Sequence, residues 1–148
     1  SRFWAILIGI DAYDRTPLRG CVSDALSVKS FLTTNLHVPE ERIQCLLSPI
    51  PGNPLTPSRE NIVKVLYDLI NKPEVDPGDN ILIYFAGHGA SYYCADHFRK
   101  FLALCPLDRD TLDARGRYVP NISNRELDAL FTQISRVKGH NITFIADC

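Results

Sequence analysis

Gly87-His88-Gly89 and Asp147-Cys148 are two places where residues useful to catalysis follow directly on an apolar run. A histidine between two glycines keeps its backbone open to a close-approaching ligand, because neither neighbour carries a Cβ. A cysteine at the end of a second such run, standing beside it, would complete a Cys–His pair. In that pair imidazole stabilises the thiolate and later protonates a leaving amine. The Gly89 N–H would be placed to donate to a developing oxyanion. Isolated histidines and cysteines are common, so spacing alone favours the plainer reading of a turn histidine and a core thiol.

Other reactive side chains suggest less. The five cysteines, Cys21, Cys45, Cys94, Cys105 and Cys148, are an odd number scattered without a framework. Cys45 and Cys105 sit in apolar runs, which reads as buried thiols of a reducing compartment and places the protein in the cytoplasm. Cys94-x-x-His97 is a lone half-site, and structural zinc normally takes four ligands, so no metal is expected there. The turn Asp11-Ala12-Tyr13-Asp14 is acidic and lacks the glycines of a phosphate-binding loop.

The elements that must hold these residues are legible from periodicity. Four short runs rich in Ile, Leu, Val and Phe, at 3–10, 42–47, 80–86 and 141–146, show little alternation and read as strands buried on both faces. Between them, Val22, Ala25, Val28, Leu32 and Leu36 mark one amphipathic helix. A second is expected to start at Thr56-Pro57, as N-cap and first helical proline, with Ile62, Leu66, Leu69 and Ile70 on its apolar face. A third opens on the capping box Ser123-x-x-Glu126 and closes at Lys138-Gly139. Strands alternating with helices predict a parallel α/β sheet, where ligands gather beyond the carboxyl ends of the strands. Two connections are unusual. Pro49, Pro51, Pro54 and Pro57 make one stiff loop. The other, from Gly89 to Ile122, is long enough to require a short strand near 98–104 and a turn at Asp113-Ala114-Arg115-Gly116.

The chain has 148 residues, 45% hydrophobic and 22% charged, with a formal net charge of −1 and no methionine. That length suits one globular domain, and the apolar fraction excludes wholesale disorder. Near-neutral charge gives no footprint for nucleic acid or an anionic membrane, and no apolar run approaches a membrane span. With no methionine and an abrupt end after an apolar strand, the sequence reads as a piece of a longer protein.

Three motifs stand in order on these elements: Leu18-Arg19-Gly20-Cys21-x-x-Asp24-Ala25, Tyr84-Phe85-Ala86-Gly87-His88-Gly89, and Phe144-Ile145-Ala146-Asp147-Cys148. In them the sequence resembles the caspase-like fold, specifically metacaspases and related fungal caspase-domain proteins, over essentially its whole length. The resemblance implies a three-layer α/β fold, with residues 1–148 as the large-subunit portion, partnered by the small-subunit half of the same domain. It implies a cysteine endopeptidase acting on peptide or protein substrates after Arg or Lys. His88 would be the dyad histidine, and Asp24 and Asp147 the acidic pocket. Two carboxylates suit a guanidinium or ammonium through charge-assisted bonds. Each also has a structural alternative, Asp24 in a first helical turn and Asp147 as the cap of a following helix.

The nucleophile departs from the family pattern. Metacaspases read Asp-x-Cys-His-Ser-Gly, so Cys148 falls in the x position. In that register the nucleophile is the residue that would follow; Cys148 serves only if the motif is one residue shorter here. Cys21 reads as a packed thiol. Calcium, used by many metacaspases, is doubtful, because the stretch Ala90 to Phe98 carries one carboxylate, Asp96, while Asp108, Asp110 and Asp113 read as turn formers. The rival function is a non-catalytic caspase-like module used in assembly or signalling.

Overall fold

The computed structural model describes residues 2–52, 55–94 and 99–148. The chain runs through β1 (Phe3–Ile10), α1 (Cys21–Thr34), β2 (Ile43–Ser48), α2 (Arg59–Asn71) and β3 (Asn80–Ala86). It continues through β4 (Gly89–Cys94), β5 (Arg99–Leu104), β6 (Ile122–Ser123), α3 (Asn124–Lys138) and β7 (Ile142–Asp147). Four strands form one parallel sheet in the order β2-β1-β3-β7. The other three make a small antiparallel sheet, β4-β5-β6.

Burial on both faces explains the unbroken apolar runs of β1 and β3. Ala5, Leu7, Tyr84 and Ala86 point toward Ala25 and Leu32 of α1. The alternate residues Ile6, Ile8, Ile83 and Phe85 pack with Ile62 and Leu66 of α2 and Leu127, Leu130 and Ile134 of α3. The result is the expected three-layer α/β arrangement. Gly9 lets α1 start close against β1, because a Cβ there would lie 2.7 Å from the Cys21 carbonyl oxygen.

Two expectations need correction. β7 is not buried on both faces: only Ile142 and Phe144 are half-buried, and Thr143 and Ile145 face solvent. Among the described residues it is the last strand of the sheet, and Ile142 and Phe144 pack toward α3, with Phe144 against Phe131. The cap of α2 is Ser58, whose side chain accepts from the Asn61 N–H, and not Thr56. The Pro57 carbonyl is instead engaged by the Leu107 N–H, which holds that residue outside the helix.

Elsewhere local signals fold as read. Ser123 and Glu126 complete the capping box of α3, and Gly139 ends it at φ +95°, a conformation that favours glycine. The long connection after β3 is taken up by the β4–β5 hairpin and a turn closed by a bridge between Leu112 and Tyr118. Among the described residues no helix is long and apolar enough to cross a membrane.

Candidate active site

β3 delivers Gly87-His88-Gly89 to the carboxyl end of the parallel sheet, beside the loop that leaves β1. Nε2 of His88 lies 2.7 Å from the Thr16 carbonyl oxygen. A carbonyl only accepts, so in the neutral ring Nε2 carries the proton and Nδ1 presents its lone pair. The imidazole packs on Tyr13, with centroids 4.6 Å apart and a 51° tilt. Tyr13 Oη accepts from the His88 N–H at 2.9 Å and donates to the Cys105 carbonyl at 2.8 Å. Burial pushes this phenol well above the ordinary tyrosine range. Gly87 is required by the same packing, since a Cβ there would lie 2.5 Å from Tyr13 Oη.

Gly89 begins β4 opposite Leu104. The Cys105 N–H donates to the His88 carbonyl at 2.9 Å, which makes Gly89–Leu104 a non-hydrogen-bonded pair of the ladder. The ladder therefore does not use the Gly89 N–H, and Gly89 is exposed. Cys148, exposed at the end of β7, lies against it: a Cβ on Gly89 would stand 2.9 Å from Cys148 Sγ. Cys148 lines a groove of about 460 Å³ with Gly89, Ala90, Leu102, Leu127 and Phe144. The structure thus brings Cys148 to the glycine beside His88. Among the described residues no hydrogen bond joins Cys148 to the imidazole, whose ring is fastened to Thr16.

On the α1 side of the sheet end, three carboxylates converge. Asp11 accepts from the Cys21 N–H at 2.9 Å and the Val22 N–H at 3.3 Å, capping α1. Asp147 accepts from Tyr84 Oη at 3.0 Å, and Asp24 lies exposed in the first turn of α1. Their fields overlap. Burial, then Asp11, with Asp24 and Asp147 behind it, push the half-buried Cys21 thiol up to about 11. Burial and the bond to Asp147, with Asp24 adding, push Tyr84 up to about 12. Asp24 and Asp147 thus both act on Cys21 and on Tyr84.

Among the described residues no three His, Cys, Asp or Glu side chains group closely enough to hold a metal ion. Asp113 accepts from the Arg115 and Arg117 N–H groups, Asp108 from the Arg59 N–H, and Asp110 pairs with Arg109. Asp96 and His97, and with them the Cys94–His97 spacing, lie outside the described residues.

Sequence reasoning missed four participants: Tyr13, Thr16, Asp11 and Tyr84. Tyr13 and Asp11 stand just past a strand end, where ligands gather, which was a usable signal. Thr16 acts through its carbonyl, which no side-chain motif encodes. Tyr84 reads as a strand residue until the sheet order places Asp147 beside it.

The family model described as metacaspase, peptidase C14 domain matches residues 4–148. Metacaspase-3 of Arabidopsis thaliana is 30% identical over 127 residues, 83% of this chain and 34% of that protein. Metacaspase-1A of Aspergillus oryzae is 31% identical over 87 residues, 57% of this chain and 20% of that protein. The chain therefore spans about a third of the length of the first of these relatives and a fifth of the second. A solved protein from Geobacter sulfurreducens superposes with a TM-score of 0.66 over 99% of this chain and 49% of its own. At 14% identity that likeness concerns the fold alone.

Proposed function

The chain belongs to the metacaspase, peptidase C14 domain family of cysteine peptidases, and on that premise we propose that it is the large-subunit, histidine-bearing portion of an endopeptidase cleaving peptide or protein substrates after Arg or Lys. What supports the specificity is that Asp24 and Asp147, at the same end of the sheet, both raise the Cys21 thiol and the Tyr84 hydroxyl. Two carboxylates there favour a cationic side chain before the scissile bond and repel an acidic one.

His88 Nδ1 takes the proton from the nucleophilic thiol. The thiolate attacks the scissile carbonyl carbon, and the Gly89 N–H donates to the oxygen as it becomes an oxyanion. The imidazolium then gives its proton to the departing amine, and water hydrolyses the thioester. We place the nucleophile at the position following Cys148, in the family's Asp-x-Cys register. Strand alternation supports this: Asp147 turns toward Tyr84 while Cys148 turns into the groove with Leu127 and Phe144. A cytoplasmic location is the reading that the absence of a disulfide framework among its cysteines supports.

The test uses the full-length protein with fluorogenic peptides ending in Arg, Lys or Asp. Cleavage after Arg or Lys is expected, with Asp24→Asn and Asp147→Asn each lowering kcat/KM by roughly 10–100-fold, the value of a charge-assisted bond. Preference for Asp overturns the pocket. Mass spectrometry after labelling with an Arg-terminated electrophile locates the nucleophile, and a label on Cys148 moves it there. No labelling and no cleavage leaves a non-catalytic module.

A further inference from the structure

The loop that leaves β1 grips His88 in more places than a catalytic histidine needs for its proton chemistry. Thr16 holds Nε2 at 2.7 Å. Three residues earlier in the same loop, Tyr13 is only 5% exposed, and its ring lies against the imidazole face. Its hydroxyl accepts from the His88 N–H and donates to the Cys105 carbonyl. The Cys105 N–H returns to the His88 carbonyl at 2.9 Å, which closes a cycle of three hydrogen bonds among residues from three separate strand ends. Both polar groups of the His88 main chain are thus fixed, and the ring has one face covered.

We propose that Tyr13 is the positioning residue of the catalytic dyad: its hydroxyl joins the exits of β1, β3 and β5 and, with its ring, sets the direction of His88 Nδ1. This rests on the reading of His88 as the acid–base group. Each contact has a distinct physical task. The hydroxyl is both acceptor and donor, a role phenylalanine cannot fill. The ring blocks rotation of the imidazole about its side-chain bonds, so that the bond to Thr16 is held. Glycine at 87 is part of the same device, because its missing Cβ is what admits Tyr13 Oη to the His88 N–H. A reacting atom displaced by about 1 Å lowers rates by about 100-fold, so an anchor that fixes Nδ1 acts on turnover rather than on substrate binding.

The experiment compares full-length wild type, Tyr13→Phe and His88→Ala on the Arg-terminated peptide. Activities are scaled to the folded fraction measured by circular dichroism. Ile62→Val, in the core under α2 and away from the site, serves as the control for destabilisation alone. Tyr13→Phe is expected to lower kcat about 10–100-fold with KM within about twofold, and to shift the acidic limb of the kcat/KM pH profile. In parallel, nitrogen-15 NMR of the imidazole reads the tautomer directly. Wild type is expected to show a proton on Nε2 and an unprotonated Nδ1, and Tyr13→Phe an averaged signal. Wild-type kcat per folded molecule together with an unchanged imidazole signature in Tyr13→Phe overturns the proposal. Full activity in His88→Ala overturns the catalytic reading instead, and the imidazole signature then judges Tyr13 by itself.

Discussion

Cys21 shows how far a single residue's chemistry depends on its neighbours. It starts α1, where a helix N-terminus ordinarily favours a thiolate. Burial and the Asp11 carboxylate, with Asp24 and Asp147 behind it, oppose that and push the thiol up to about 11. Because the folded thiol is raised, it stays neutral and unreactive at pH 8. Its contribution to stability is present below the unfolded value and is lost as pH rises through about 11. Alkylation by iodoacetamide, followed by mass spectrometry, is expected to modify exposed Cys148 at pH 8 and Cys21 only as pH approaches that value. Asp147→Asn removes one of the opposing charges, so Cys21 should react faster at each pH. Equal rates at Cys21 and Cys148 at pH 8 would disprove this joint action of the carboxylates. The candidacy of Asp24, His88 and Asp147 was legible in the sequence through the family resemblance that the three motifs carry, not through spacing alone. The role of Asp11 was not, since nothing local says that its carboxylate caps a helix ten residues on.

Among the elements, α3 is the one whose ends were fully legible. Ser123, Glu126 and Gly139 satisfy its terminal groups through bonds within a few residues, so a short window of sequence encodes them. Ser123→Ala removes the acceptor for the Glu126 N–H and is expected to cost about 1 kcal/mol, read as a lower urea midpoint with unchanged slope. A change below about 0.3 kcal/mol would show that the cap bears no weight. The start of α2 was misplaced by a few residues for a tertiary reason. Thr56-Pro57 has a good local cap signal, but the Pro57 carbonyl is claimed by the Leu107 N–H from the long connection, and Ser58 takes over. Glu126 also pairs with Arg59, so the caps of α2 and α3 are set side by side.

Across the whole molecule the sheet order β2-β1-β3-β7 decides what each strand meets. Phe85 is fully buried in a central strand, whereas Ile145 on the edge is 43% exposed. Phe85→Ala is therefore expected to destabilise by about 3–5 kcal/mol and Ile145→Ala by less than about 1 kcal/mol in urea unfolding. Comparable losses would contradict the layering. The sequence alone was enough for the alternation of strands and helices, the bounds of β1 and β3, the ends of α3 and the order of the three motifs. These follow from side-chain periodicity and hydrogen bonds that span a few residues. Only the tertiary structure decided that Asp24 and Asp147 both act on Cys21, that Cys148 turns toward Gly89 and the groove, and that Tyr13 ties His88 to Cys105. Those contacts join strand ends far apart in the chain, and no local pattern specifies which ends the sheet will set side by side.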